Sequence, residues 1–305
     1  MPMPKDVGVV ETMISIPSPN QPASYDFMRP LFRDRESLDQ FDFPVQYMFK
    51  DVPKTGTHED YIKFTLEKMD AFGIEKAVLG VSLDNEVTVR AVRQHPDRFI
   101  PQGQANPNQA MDGVRRIVRE YEELGISSLG AFPCGLVPQV PINDKQFYPI
   151  YAKCVELDIA IFCCAGVPGP RVPMYPQLVQ HVDEVCWYFP ELKFVFRHGC
   201  EPWEELAVKL MLKWPNLYYS TSAFAPKHYP KAIIDYANTR GADKIIYAGY
   251  WPMGLSLERI FSELPSVPFK DEVWPKFLRE NALRVLGLQA SRSEPKASEV
   301  HKARG

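Results

Sequence analysis

The sequence predicts a single (β/α)8 barrel, the TIM-barrel class of α/β protein. Three observations lead to this prediction: short, mostly apolar strand-like runs recur along the chain, a helix-like segment follows each run, and glycine, proline or histidine residues close the runs. Eight such units close into a parallel barrel. An open doubly wound sheet is the alternative, but the chain contains no G-x-G-x-x-G or phosphate-binding loop to support it.

The strand and helix boundaries follow from the spacing of apolar residues and from the residues that interrupt it. In the first helix Tyr61, Phe64, Met69 and Phe72 recur at helical spacing, Thr57 is the expected N-cap, and Gly73 ends the segment. The predicted strands are 7–13, 76–82, 99–104, 127–132, 159–165, 192–198, 217–222 and 244–249. The predicted helices are 58–72, 85–95, 110–124, 145–157, 177–188, 201–213, 229–240 and 255–264, followed by 274–286.

The barrel is expected to occupy residues 1–288 as one domain. Residues 15–55 form a long excursion between the first strand and the first helix, rich in proline, aspartate and phenylalanine. Excursions of this length usually act as lids, binding loops or contacts with a partner. Residues 289–305 are polar and charged, which predicts a disordered tail.

Composition restricts the classes of partner. The 305 residues carry a formal net charge of −3 with no basic stripe, which argues against nucleic acid. No run of about 18 apolar residues is present, so we expect no membrane span. The first residues lack the apolar core of a signal peptide, and the six scattered cysteines favour buried thiols over a disulfide framework. These features favour a cytoplasmic protein.

Four groups of segments together resemble the amidohydrolase-related family of TIM-barrel proteins, in the branch that contains aminocarboxymuconate semialdehyde decarboxylase and γ-resorcylate decarboxylase. The resemblance covers residues 7–288. It rests on 122–126 with 147–153 and 157–161, on His198-Gly199 with Pro202-Trp203, on 214–223, and on 243–253 with 281–288. The resemblance implies a hydrolase or lyase acting on a small organic acid, and relatives often form dimers, so we expect a homodimer or a higher homo-oligomer.

The resemblance also implies a metal site that this chain has mostly lost. Family members usually hold a divalent metal with an H-x-H pair after strand 1, histidines after strands 5 and 6, and an aspartate after strand 8. Those positions correspond here to Met13, Ser15, Cys164, His198 and Tyr250, and Ser220 stands where relatives have a strand 7 aspartate. A divalent ion needs three or more suitable donors in fixed geometry. We therefore expect no metal and no cofactor.

His198 is the first catalytic candidate, since it ends strand 6 at the barrel face that carries chemistry. With no metal on it, its imidazole is free for acid–base work near its working pKa; the alternative is a relic histidine bonded to neighbouring backbone. Arg197 is expected to point toward the helices, because side chains alternate along a strand. Tyr250 has a phenol that can donate a proton or bind an oxyanion, or it fills the space of the lost metal.

Glu11 and Cys164 are further candidates. Glu11 should share a face with Met13 and Ser15, where desolvation would raise its pKa and make it a base, or where it is simply a buried hydrogen-bonded carboxylate. Cys164 could be a nucleophile activated by His198, or a small core thiol. A third possibility joins Cys164, His198 and Cys200 in a soft-metal site.

The remaining residues are expected to bind substrate. Met13, Ser15, Cys164 and Trp251 would line an apolar pocket suited to a hydrophobic or aromatic acid. Ser220, with Ser222 on the same face of strand 7, could bind a carboxylate, and so could Arg171 with Tyr175 in the proline-rich loop after strand 5. Two hypotheses follow: a metal-independent hydrolase or lyase, and a catalytically inactive barrel that binds a ligand or a partner subunit. An open cavity lined by His198 would favour the first.

Overall fold

Eight parallel strands form one sheet in sequence order, as predicted, in the part of the chain that the computed structural model describes, residues 3–4, 6–39, 43–49 and 52–288. They are β1 (Val9–Ile14), β2 (Ile74–Gly80), β3 (Phe99–Gln104), β4 (Ser128–Ala131), β5 (Ala160–Cys164), β6 (Phe194–Arg197), β7 (Leu217–Ser220) and β8 (Ile245–Ile246). The predicted disordered tail, 289–305, lies outside the described residues. No described helix is both long and apolar enough to cross a membrane.

Helices alternate with these strands. They are α1 (Arg35–Asp39), α2 (Tyr61–Ala71), α3 (Glu86–Gln94), α4 (Ala110–Leu124), α5 (Tyr148–Glu156), α6 (His181–Tyr188), α7 (Glu204–Lys213), α8 (Lys231–Ala237), α9 (Leu257–Glu263), α10 (Val273–Pro275) and α11 (Asn281–Val285), with a π-helical turn, Lys276–Glu280, between the last two. The excursion after β1 contains α1 and two 3-10 segments, Gln21–Leu31 and Gln46–Met48. It is therefore more regular than a plain loop.

Most helices begin one to four residues later than predicted, and two of them show the local reason. The N-cap of α2 is Asp60, whose carboxylate accepts the backbone N–H groups of Ile62 and Lys63, so the helix begins at Tyr61 instead of residue 58. Helix α7 begins at Glu204, so Pro202 precedes it and does not lie in its first turn. In both cases the helix begins later than the apolar spacing alone indicates.

Side chains of the strands divide between two cores. Residues that point into the barrel, including Val10, Val78, Phe162, Val195 and Ile246, form an inner cluster with α11 at its base. Their neighbours along each strand pack outward against the helices in a larger cluster. The inner cluster and α11 therefore fill the amino-terminal end of the barrel, and the carboxyl-terminal end is left for a site.

Glu11 joins the two ends of the sheet. In the described residues β8 and β1 are not paired as strands, and side chains bridge them instead. The Glu11 carboxylate accepts the Gly249 N–H at 2.8 and 2.9 Å and the Met13 N–H at 2.8 Å, and the Thr12 hydroxyl donates to the Tyr247 carbonyl at 2.7 Å. Buried backbone N–H groups need such acceptors. The barrel is therefore nearly closed, with a carboxylate at its seam.

Removal of this carboxylate should destabilise the barrel. We expect Glu11→Ala to lower the free energy of unfolding by about 2–4 kcal/mol, because two buried N–H groups lose their acceptor. Urea unfolding at pH 8 measures the change. Glu67→Ala, on the exposed face of α2, is the control and should stay within about 0.5 kcal/mol of the wild type. Equal stability of the two variants would show that the seam does not depend on Glu11.

Candidate active site

A cavity of about 1140 Å³ opens at the carboxyl-terminal end of the barrel. One side is built from the ends of the strands and the loops that follow them, and the other side from the excursion between β1 and α2. The barrel contributes Met13, Ser15, Leu79, Gln104, Phe132, Cys164, Arg197, His198 and Tyr250, and the excursion contributes Tyr25, Met28, Phe43, Val45, Tyr47 and Phe49. The described part of the excursion thus covers the barrel mouth with a mostly apolar wall that contains several aromatic rings.

All five positions that correspond to family metal ligands meet at this cavity. Met13, Ser15, Cys164, His198 and Tyr250 lie on its lining although they come from β1, β5, β6 and β8 or the turns after them. The expectation that Met13, Ser15 and Cys164 line a pocket thus agrees with the geometry. Their roles toward a substrate stay predictions.

Glu11 does not share the face of Met13 and Ser15, and that part of the prediction was wrong. The pairing register of β1 with β2 shifts between Glu11 and Ile14, so the strict alternation of side chains breaks there. Glu11 lies outside the cavity lining, 1% exposed, and burial raises its pKa to about 7 against the lowering effect of the Gly249 and Met13 N–H groups. Its position is that of a buried, hydrogen-bonded carboxylate.

Trp251 and Ser220 are also outside the cavity lining. Trp251 is buried in the outer core, where its ring lies 6.0 Å from that of Phe64. Ser220 is 1% exposed and its hydroxyl finds no partner among the described residues. Ser222, two residues later, is the serine that reaches the site, because it contacts His198.

Arg171 holds the excursion to the loop after β5. Its guanidinium donates to Asp34 at 3.0 Å and to Glu36 at 2.8 Å, and it lies 4.6 Å from the centre of the Tyr47 ring. The Tyr47 hydroxyl in turn donates to the Gly169 carbonyl. Arg171 is not part of the cavity lining. Its contacts hold the loop after β5 against the excursion.

His198 is fixed by Ser222. The Ser222 hydroxyl accepts the His198 backbone N–H at 3.2 Å and lies 3.2 Å from Nδ1 of its ring. The His198 backbone adopts φ +67°, so the chain leaves the extended conformation immediately after β6. Burial and the neighbouring Arg197 charge lower the pKa of His198 to about 3. The imidazole is therefore neutral at ordinary pH, and the expected pKa near neutrality was wrong.

Tyr250 faces His198 across the cavity floor. The two rings meet edge to face with their centres 5.4 Å apart, and rings of the excursion approach Tyr250 from the other side, Phe49 at 5.7 Å and Phe43 at 6.4 Å. Burial raises the pKa of the Tyr250 phenol above its usual value, so the hydroxyl stays protonated and can donate.

Arg197 lines the cavity, which corrects the prediction that it points toward the helices. Val195 belongs to the inner cluster, so alternation places Arg197 on the same inward face. The prediction assumed that His198 continues the extended strand and faces the cavity, which would turn Arg197 away from it. His198 instead adopts a left-handed conformation, and as a result both Arg197 and His198 line the cavity. In the sequence, only the following residue, Gly199, signals this turn.

The donors at the five positions that the family resemblance assigns to metal ligands do not fit a divalent metal. They are a thioether, a hydroxyl, a thiol, a phenol and an imidazole whose Nδ1 is in contact with Ser222, and the Arg197 cation lines the same cavity. Burial raises the pKa of the Cys164 thiol to about 12, so it stays protonated. Cys200 lies in the outer core, away from Cys164 and His198 on the lining. Within the described ranges, no three His, Cys, Asp or Glu side chains are grouped to hold a metal ion.

The barrel agrees with comparison to known proteins. The profile of the amidohydrolase family matches residues 54–288. The chain belongs to this family. None of the curated proteins matches the chain.

Solved structures share the fold at low sequence identity. A TIM-barrel protein from Bordetella bronchiseptica is 23% identical, with 92% of this chain and 99% of that chain covered and a TM-score of 0.67. The 5-carboxyvanillate decarboxylase of Sphingomonas paucimobilis is 15% identical, with 93% and 100% covered and a TM-score of 0.66. The 4-oxalomesaconate hydratase of Rhodopseudomonas palustris is 16% identical, with 92% and 96% covered and a TM-score of 0.60.

Glu11 and His198 should give the stability of the protein opposite dependences on pH. The pKa of His198 is lowered from 6.5 to about 3, so its contribution is lost as the pH falls from 6.5 toward 3. The pKa of Glu11 is raised from 4.5 to about 7, so its contribution is lost as the pH rises from 4.5 to 7. Urea midpoints should be measured from pH 4 to 8. Compared with the wild type, His198→Asn should lose less stability as the pH falls below 6.5, and Glu11→Gln should lose less stability as the pH rises above 4.5. A shift of both variants in the same direction would contradict the two assignments.

Proposed function

We propose that the protein is a hydrolase or lyase that acts on a small aromatic or otherwise hydrophobic organic acid by acid–base chemistry, without a metal. The observation that carries this proposal is the pairing of the His198 imidazole with the Tyr250 phenol on the floor of a large cavity. Both groups are partly buried and both are uncharged, and they come from the two strand ends where TIM-barrel chemistry concentrates.

The contact with Ser222 determines which nitrogen of His198 serves a substrate. The Ser222 hydroxyl accepts the His198 backbone N–H and lies 3.2 Å from Nδ1. We propose that this hydroxyl donates its proton to Nδ1, so that the ring proton lies on Nε2. A neutral imidazole in this tautomer donates from Nε2 and polarises an oxygen of the substrate, as neutral histidines do in other barrels.

Tyr250 supplies a second donor beside His198. Its phenol stays protonated because burial opposes ionisation. Two donors that converge on one oxygen stabilise the negative charge that develops there when the neighbouring carbon loses a proton, or when its bond to a carboxylate breaks and carbon dioxide leaves. His198 and Tyr250 are therefore assigned as hydrogen-bond donors to the reacting oxygen. As the charge collapses, one of them protonates the carbon and regains its own proton from solvent.

The wall of the cavity supports the substrate class. Aromatic rings of the excursion, among them Phe43 and Phe49, face Tyr250, and such surfaces bind flat apolar bodies. Two structural neighbours are named for 5-carboxyvanillate and 4-oxalomesaconate, both small organic acids. A barrel that only binds a ligand is the second candidate, favoured by the replacement of the family metal ligands. The open cavity lined by His198 supports the enzyme.

A screen of hydroxybenzoates, their carboxylated derivatives and unsaturated diacids tests the proposal. We expect turnover of at least one acid, with kcat/KM reduced about 100-fold or more in His198→Asn and about 100-fold in Tyr250→Phe. Treatment with a chelator should leave the activity of the wild type unchanged, because the donors at the mouth do not suit a divalent ion.

The control is His95→Asn, after α3 and away from the cavity, and it should keep wild-type kinetics. Full activity of His198→Asn would remove His198 from the mechanism. Complete loss of activity on chelation, restored by one added metal, would overturn the metal-free assignment. Binding of an acid without turnover in the whole panel would favour the inactive barrel.

A further inference from the structure

The side chain of Arg197 is a buried cation at the cavity. It ends β6, is 7% exposed, and lies on the cavity lining beside His198. Its guanidinium donates to Oε1 of Gln102 at 2.9 Å and lies 5.5 Å from the centre of the Phe162 ring. A guanidinium has five N–H donors, so one hydrogen bond leaves most of them for other acceptors.

No carboxylate in the described part of the chain balances this charge. Among the described residues no carboxylate forms an ion pair with Arg197, and its Nε has no hydrogen-bond partner. The ionisable groups that interact with this charge are His198, Cys163, Cys164 and Tyr250. Burial lowers the pKa of the His198 imidazole and raises the pKa values of the two thiols and the phenol, so all four remain uncharged. A buried charge without a partner is strongly unfavourable. The arrangement is therefore complete only with an anion from outside.

Neighbouring strands hold the guanidinium in position. Gln102 is 4% exposed and its amide nitrogen donates to the Ser128 hydroxyl at 3.0 Å, which turns its oxygen toward Arg197. Gly130 on β4 keeps the space next to this amide clear, because a Cβ there would lie 3.0 Å from Oε1 of Gln102. A cation fixed in this way loses little freedom when it binds a ligand.

We propose that Arg197 binds the carboxylate of the substrate and is the residue that selects organic acids over neutral analogues. The proposal rests on the proposed function for the class of substrate. A planar guanidinium matches a carboxylate with two parallel hydrogen bonds. One unpaired cation balances a single negative charge, which favours a carboxylate over a doubly charged phosphate. The body of the acid would then extend toward the aromatic wall of the excursion.

Calorimetric titration of the wild-type protein with benzoate, benzamide and inorganic phosphate tests the proposal without turnover. Benzoate should bind at least tenfold more tightly than benzamide, which has the same ring and no charge. Arg197→Gln should weaken the binding of benzoate by about ten- to a hundredfold and leave the binding of benzamide unchanged. Arg197→Lys keeps the charge without the planar fork, so its affinity for benzoate should lie between those of the wild type and Arg197→Gln. Arg115→Gln, on the exposed face of α4, is the matched control and should bind as the wild type does.

Three results would overturn the proposal. The first is equal binding of benzoate and benzamide by the wild type. The second is no binding of benzoate or of two further carboxylates, phenylacetate and hexanoate. The third is binding of phosphate that is as tight as that of benzoate and equally dependent on Arg197. The wild-type comparison stands even if a variant fails to fold. Binding that depends on Arg197 without turnover of any acid would defeat the proposed function alone. Turnover with an unchanged KM in Arg197→Gln would defeat this inference alone.

Discussion

The electrostatics of the site depend on one buried positive charge, that of Arg197. With burial, this charge keeps the neighbouring imidazole neutral by lowering the pKa of His198 to about 3. It also places a cation on the lining shared by Met13, Ser15 and Cys164. The neutral imidazole and the proposed metal-free chemistry therefore have a common origin.

The amino-terminal half of the barrel is held together by contacts that do not involve Arg197. The inner cluster and α11 fill the base, and Glu11 bridges the seam between β1 and the segment after β8. Arg197 faces the cavity and Glu11 does not. The seam and the site therefore use different side chains, although both are built from ends of the same strands.

The strands were predictable because each is an apolar run, and the meeting of Met13, Cys164, His198 and Tyr250 followed from the rule that parallel strands share a carboxyl-terminal edge. The errors concern single residues where the backbone leaves the extended form. Arg197 follows the alternation of β6 and points inward, and it is His198, in a left-handed conformation, that departs from the alternation. The register shift in β1 separated Glu11 from Met13. The ion pairs of Arg171 with the excursion join segments about 135 residues apart, which no local pattern indicates.

A guanidinium and a metal ion both provide positive charge at a barrel mouth, but they permit different chemistry. A metal ion lowers the pKa of a bound water and so generates hydroxide at neutral pH. A guanidinium has no vacant coordination position; it orients a carboxylate and offsets its charge. With His198 and Tyr250 as neutral donors, the residues present are better suited to stabilising an anion on the substrate than to activating water.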